Sequence, residues 1–191
     1  VTEFVVPPPA EGLSFAAMTL PGLLPTAPQV GLSPDGRQLA FITSDLEGKR
    51  VLWIRSLDVS RPRLIEGTDG ASSYPFWSPD SRDVVIAVKR ALMKVNARTG
   101  TIERLCTLPD AAPPEPFVTG SWGDDGTILF SIGGPSGLYR TDRSGKTPQV
   151  ATTLDKARSD NYHSWPQLLP GKRILFFVRT VKLEAHRLYA G

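Results

Sequence analysis

A chain of 191 residues with 40% apolar side chains can bury one good core and is short for two. Its 18 Pro and 17 Gly punctuate many short elements and exclude a bundle of long helices. The net charge of +3 comes from scattered basic residues such as Lys49-Arg50, Lys89-Arg90 and Lys172-Arg173, which argues against a nucleic-acid surface, and the lone Cys106 excludes an internal disulfide and a Cys-based zinc site.

In chain order, residues 1–28 read as a lead-in: a strand near Thr2–Val6, then apolar, Pro-rich chain. Gly12 to Pro34 carries no charge and could be mistaken for a membrane span. Pro21, Pro25 and Pro28 would break a helix there, so the stretch is expected to be an apolar loop lying over the core. No initiator Met and no basic region precede an apolar segment, so no signal peptide is visible. The abrupt start at Val1 and stop at Gly191 suggest a piece of a longer protein.

From residue 29 onward one pattern recurs. Leu32-Ser33-Pro34-Asp35-Gly36-Arg37 precedes the apolar run Gln38–Ile42, and Trp77-Ser78-Pro79-Asp80-Ser81-Arg82 precedes Asp83–Ala87. Trp122-Gly123-Asp124-Asp125-Gly126 precedes Thr127–Phe130, and Leu169-Pro170-Gly171-Lys172 precedes Arg173–Val178. The last turn residue falls at Gly36, Ser81, Gly126 and Gly171, 45 residues apart each time. The chemistry is that of a tight corner: Pro presets one backbone angle, Asp bonds forward to its own backbone, and Gly accepts the left-handed angle.

Each corner is followed by further short strands. The first repeat predicts Gln38–Thr43, Arg50–Leu57 and an outer strand Pro62–Ile65. The second predicts Tyr74–Trp77, Asp83–Val88, Ala91–Asn96 and Thr101–Cys106; the third Val118–Trp122, Thr127–Ser131, Gly137–Thr141 and Pro148–Ala151. The fourth predicts Ser164–Gln167, Arg173–Val178 and Arg187–Tyr189, without an outer strand, which Thr2–Val6 could supply. Several strands are apolar on both faces, as expected for sheets stacked between neighbours. Four antiparallel strands per 45-residue unit is the size of a propeller blade. The expected fold is all-β: about four four-stranded β-propeller blades at approximately 29–66, 74–107, 118–152 and 163–191, the last incomplete, and part of a larger propeller. Pro109–Pro116 reads as an interblade loop.

Chemical constellations are thin. Gly134-Pro135-Ser136-Gly137 glances at a nucleophile elbow, but Leu138 stands where a second Gly is needed, so it reads as a hairpin turn. Asp124-Asp125-Gly126 aligns with the repeated corner and lacks the spaced ligands of a calcium loop. His163 and His186 form no zinc pattern. Cys106 is expected to pack as a small hydrophobe, and Trp53, Trp77, Trp122 and Trp165 as fillers between blades. No catalytic, cofactor-binding or metal-binding residue is assigned. If a binding surface exists, propeller geometry puts it at the channel mouth, where residues leading into the inner strands gather: Tyr74, Thr119, Tyr162 and His163.

The Ser-Pro-Asp-Gly-Arg corner followed by an apolar strand resembles the WD-like propeller repeat of TolB-type proteins, over residues 29–191. Three segments, Phe4–Pro9, Ser73–Ser81 and Ser164–Gln167, resemble the C-terminal propeller region of bacterial membrane-anchored serine/threonine protein kinases. That resemblance implies a non-catalytic interaction or sensor module in an extracytoplasmic position, tied to the membrane only through flanking sequence. The kinase's own motifs are absent from this chain, so any phosphoryl transfer belongs elsewhere. Two alternatives are the gating propeller of a prolyl-oligopeptidase-type peptidase and a periplasmic TolB-like protein-binding propeller. In every case the partner expected at the channel mouth is a protein or small ligand.

Overall fold

The computed structural model describes residues 5–17, 28–59, 61–182 and 185–191. Among these, sixteen strands form four antiparallel sheets, with no α-helix and two short 3-10 turns, Lys156–Arg158 and Pro170–Lys172. The first sheet holds β1 (Ser14–Phe15), β2 (Val30–Leu32), β3 (Gln38–Ser44), β4 (Arg50–Ser56) and β5 (Arg63–Leu64). The second holds β6 (Phe76–Trp77), β7 (Asp83–Val88), β8 (Ala91–Asn96) and β9 (Ile102–Thr107). The third holds β10 (Gly120–Trp122), β11 (Thr127–Phe130), β12 (Tyr139–Asp142) and β13 (Gln149–Val150). The fourth holds β14 (Asp160–Leu169), β15 (Arg173–Thr180) and β16 (Arg187–Ala190).

The recurring corners explain why the meanders start where they do. Gly36, Ser81, Gly126 and Gly171 have φ of 71°, 60°, 84° and 78°, the left-handed angle that turns inner strand into second strand. The Gly36 N–H donates to Ser33 O at 2.8 Å, and Asp35 Oδ1 accepts from the Arg37 N–H at 3.0 Å. The same pair of bonds recurs at Ser81 and Asp80, at 3.0 and 3.2 Å, and at Gly126 and Asp125, both at 2.9 Å. The Ser33 and Ser78 hydroxyls, followed by the backbone N–H groups, hold the Asp35 and Asp80 carboxyls below the usual carboxylate range.

Inner strands of successive sheets lie side by side, β2 beside β6, β6 beside β10 and β10 beside β14. Bonds one repeat apart fix the stacking. The Trp77 indole N–H donates to Gly31 O at 2.9 Å, the Tyr74 N–H to Val118 O at 3.0 Å, and the Trp165 N–H to Thr119 Oγ1 at 2.9 Å. Ser73 and Val118 form a parallel bridge, so neighbouring inner strands run the same way, as around a propeller axis.

Strand alternation then builds one core per gap. Val84 and Ile86 of β7 face the first sheet, packing with Ala40, Ile42, Leu52 and Ile54; Val85 and Ala87 face the third, with Ile128 and Phe130. A smaller cluster, Leu129, Leu138, Phe176 and Val178, joins the third sheet to the fourth. At roughly 1.5–3 kcal/mol per buried large aliphatic or aromatic side chain, these gaps carry most of the fold's stabilisation. The loop 109–116 is pinned by Arg90, whose guanidinium donates to Ala112 O at 2.9 Å and Pro109 O at 3.0 Å.

One expectation at the amino-terminal end is corrected. Gly12 to Pro34 is not a loop throughout: β1 and β2 both pair with β3, and together they make the inner strand of the first sheet in two pieces. The chain leaves after Ala16, which bonds Ile42 O, and rejoins at Gln29, whose N–H donates to Ala16 O at 2.9 Å, with an antiparallel bridge between Ala17 and Pro28. Residues 18–27 of that stretch lie outside the described residues. The expected strand Thr2–Val6 lies largely outside them too; its last two residues are irregular, Val5 is 85% exposed, and among the described residues the fourth sheet ends at β16.

Candidate binding groove

The short inner strands of the first three sheets and the longer β14 bring small or ring-shaped residues to the axis: Gly31, Pro75 just before β6, Gly120 and Pro166. Between them lies a groove of 420 Å³ along the axis, lined from all four sheets. None of its lining residues is charged. Gly120 is required there: a Cβ on it would stand 2.4 Å from the Phe76 ring.

One wall is built around Trp165. This residue sits where β14 loses register with β15, between Ser164 and Gln167. Its φ is 53°, unusual for any non-glycine residue and more so directly before a proline. Such a conformation costs on the order of 1–3 kcal/mol and needs support from its surroundings. Thr119 supplies a hydrogen bond to the Trp165 backbone N–H. Tyr74 and Phe117 supply edge-to-face contacts with the indole at 4.6 and 5.8 Å, each worth about 0.5–1.5 kcal/mol. The Thr119 hydroxyl is itself buried against Ser131 Oγ at 2.8 Å. The outcome is an indole that stays 42% exposed on the groove wall.

Tyr74 and Thr119 are therefore brought together, as buried supports of Trp165 rather than as exposed contact residues. The other two expected residues lie elsewhere. Tyr162 accepts a bond from the Arg179 guanidinium at 3.1 Å, and that guanidinium also stands 5.5 Å over its ring. His163 lies within β14, is 4% exposed, and borders a separate cleft of 490 Å³ between the third and fourth sheets. Its Nδ1 is 2.8 Å from Thr152 Oγ1, its Nε2 is 3.4 Å from Asp160 Oδ2, and its ring packs on Phe176. Burial pushes the imidazole below its ordinary value, against the pull of Asp160. Burial would raise Asp160, but the Asp155 N–H, Arg187 and His163 together hold it below the usual carboxylate range.

The expectation that Trp165 fills a space between blades fails, and it is the residue that sequence reasoning misses; the one signal is the Trp-Pro dipeptide, with a Thr one repeat back and a Tyr two repeats back. Trp53 is also displaced: it pairs with Phe41 on the first sheet's face turned from the second, its indole N–H donating to Thr43 Oγ1 at 2.9 Å. Trp77 and Trp122 pack at equivalent positions against successive cores. Ser136 lies in the loop before β12, buried, its hydroxyl directed to Gly133 O. The Cys106 thiol is buried, and burial pushes it up to about 11, which leaves it protonated and unreactive at neutral pH.

No protein-family model matches the chain. Over 58 residues, 30% of this chain and 13% of the relative, it is 28% identical to the Tol-Pal system protein TolB of Alcanivorax borkumensis. Its fold is similar to that of a TolB-like protein from Agrobacterium tumefaciens, with a TM-score of 0.61, 17% identity, and 84% of this chain against 63% of that one covered. It is also similar to an oligogalacturonate lyase from Vibrio parahaemolyticus, with a TM-score of 0.58, 15% identity, and 78% against 44% covered. At such identities the likeness establishes a β-propeller fold, similar to those of TolB and of the lyase. The chain spans less than two thirds of the length of each of these proteins.

Proposed function

We propose that this chain is a non-catalytic, protein-binding β-propeller module of the TolB type, working outside the cytoplasm. The observation that carries the reading is the uncharged axial groove with a strained, half-exposed Trp165 held on its wall. Exposed indoles fixed by their neighbours are typical anchors of protein interfaces, and an uncharged groove suits an extended segment bearing apolar or aromatic side chains. The TolB relative, by name a Tol-Pal system protein, supports membership of a protein assembly and an extracytoplasmic location. The lyase neighbour shows that related propellers host chemistry, but this groove gathers rings, prolines and hydroxyls rather than an acid–base pair. Attachment to a receptor-like kinase rests on three short segments, and neither the groove nor the relatives add to it. The TolB-type reading is the better supported.

The test is selection of a displayed peptide library on the full chain, followed by calorimetric affinities. Selected peptides are expected to lose about 10-fold or more in affinity on Trp165→Ala and to be indifferent to Leu46→Ala, a remote exposed control. Failure to select any peptide family, or equal binding to the Trp165→Ala protein, would overturn the reading.

A further inference from the structure

The cleft between the third and fourth sheets contains a continuous hydrogen-bonded relay that the groove does not use. The Leu138 N–H donates to Thr152 Oγ1 at 2.8 Å, and Thr152 Oγ1 stands 2.8 Å from His163 Nδ1. His163 Nε2 then meets Asp160 Oδ2, and the Arg187 guanidinium donates to Asp160 Oδ1. The ionised Asp160 can only accept, so the imidazole proton is assigned to Nε2. Nδ1 is then an acceptor, and the Thr152 hydroxyl donates to it. The relay therefore crosses from Leu138 and Thr152, which belong to the third sheet's side of the gap, to His163, Asp160 and Arg187 in the fourth.

We infer that His163 is a proton-operated latch between the third and fourth sheets, closed when its imidazole is neutral and released when it gains a second proton. A proton on Nδ1 obliges the Thr152 hydroxyl to turn round. The Leu138 N–H and the Nδ1–H would then occupy both lone pairs of that oxygen, and the hydroxyl's own proton would lose the acceptor it has in this half-buried place. The charge balance fails as well. Asp160 and Arg187 neutralise one another beside the ring, and both His163 and Asp160 are 4% exposed, so protonation leaves a buried net positive charge. Among the described residues that line the cleft, no other charged group is free to cancel it. Asp155 and Arg158 at the 3-10 turn pair with each other at 3.3 Å, and β15 presents the Phe176 ring. β16 adds Tyr189, while the third sheet's side of the cleft offers Thr152 and Thr153, both uncharged.

The gap that the latch spans also holds the fewest buried apolar side chains. Among the described residues four buried apolar side chains join the third and fourth sheets, against twelve in each of the other two gaps. Hydrogen bonds therefore carry a larger share of the joint here, the relay beside the charge-independent bonds from the His163 N–H to Ser136 O at 3.0 Å and from the Leu168 N–H to Ser121 Oγ at 3.1 Å. The sign follows from linkage. The closed state binds the second proton less readily than the open one, so the latch's contribution is full above the ordinary histidine value near 6.5 and is lost as pH falls below it.

The test is native-state hydrogen exchange on the full chain at pH 7.5 and 5.0, corrected for intrinsic exchange rates. Protection of amides in β14 and β15, relative to β7 and β8, is expected to fall by about tenfold at pH 5.0, the size of one buried hydrogen bond. In His163→Gln, which cannot be protonated, the ratio should not change with pH. Unchanged protection in the parent, or the same fall in His163→Gln, overturns the latch. If the Gln variant is already open at pH 7.5, NMR titration of the His163 ring in the parent decides. A midpoint below the ordinary histidine value that tracks the loss of protection supports it, and a midpoint at or above that value refutes it.

Discussion

Ser81 holds a backbone angle that its counterparts at 36, 126 and 171 leave to glycine. A left-handed conformation costs a residue with a Cβ about 1–2 kcal/mol. Serine repays this through its oxygens: Oγ accepts the Asp35 N–H at 3.1 Å, and the carbonyl accepts the Gln38 side-chain amide at 3.4 Å, tying the first corner to the second. Two substitutions separate these effects. Ser81→Gly removes strain and one bond together, so urea unfolding should place it within about 1 kcal/mol of the parent. Ser81→Ala keeps the strain and loses the bond, so it should be less stable by about 1–2 kcal/mol. Equal stabilities for parent and alanine variant would show that the cross-corner bond contributes nothing.

At the scale of elements, the packing of β6 on β10 depends on one missing side chain. A methyl at Gly120 would have to displace the Phe76 ring, which lies in the core between the second and third sheets. Gly120→Ala should therefore lower stability by about 1–3 kcal/mol in thermal or urea unfolding, and Phe76→Leu added to it should restore part of the loss. A Gly120→Ala protein as stable as the parent would mean that the inner strands do not pack this closely. This element also shows what the sequence revealed. The corners were readable because Pro, Asp and Gly each do a local job that needs no distant partner, and the strands after them because both faces are apolar. β1 and β2 were not read as strands: they are two and three residues long, and Val30 and Leu32 remain exposed. Trp165 was misplaced because an indole in a strand ordinarily means burial, whereas its position here depends on a register shift and on Thr119, 46 residues away. Sequence analysis names His163 but not Asp160 beside it, and Thr152 and Arg187 join that pair only through the packing of two sheets.

For the whole molecule, the four sheets are joined by gaps that bury unequal numbers of apolar side chains, with the groove on the axis and the latch at the gap that buries fewest. The split inner strand of the first sheet has a consequence of its own. Ala16 and Gln29 already bond each other and β3, and the Ala17–Pro28 bridge closes the base of the excursion between them. The register of β3 against β4 is then indifferent to how many residues the excursion contains. Replacing residues 18–27 with a two-residue Asn-Gly connection should leave the sheet's exchange-protected amides in place, since that turn matches an antiparallel base; their loss would show that the register depends on the deleted segment. A blade with such a seam tolerates a change in the length of the segment joining its two half-strands while the rest of its scaffold stays as it is.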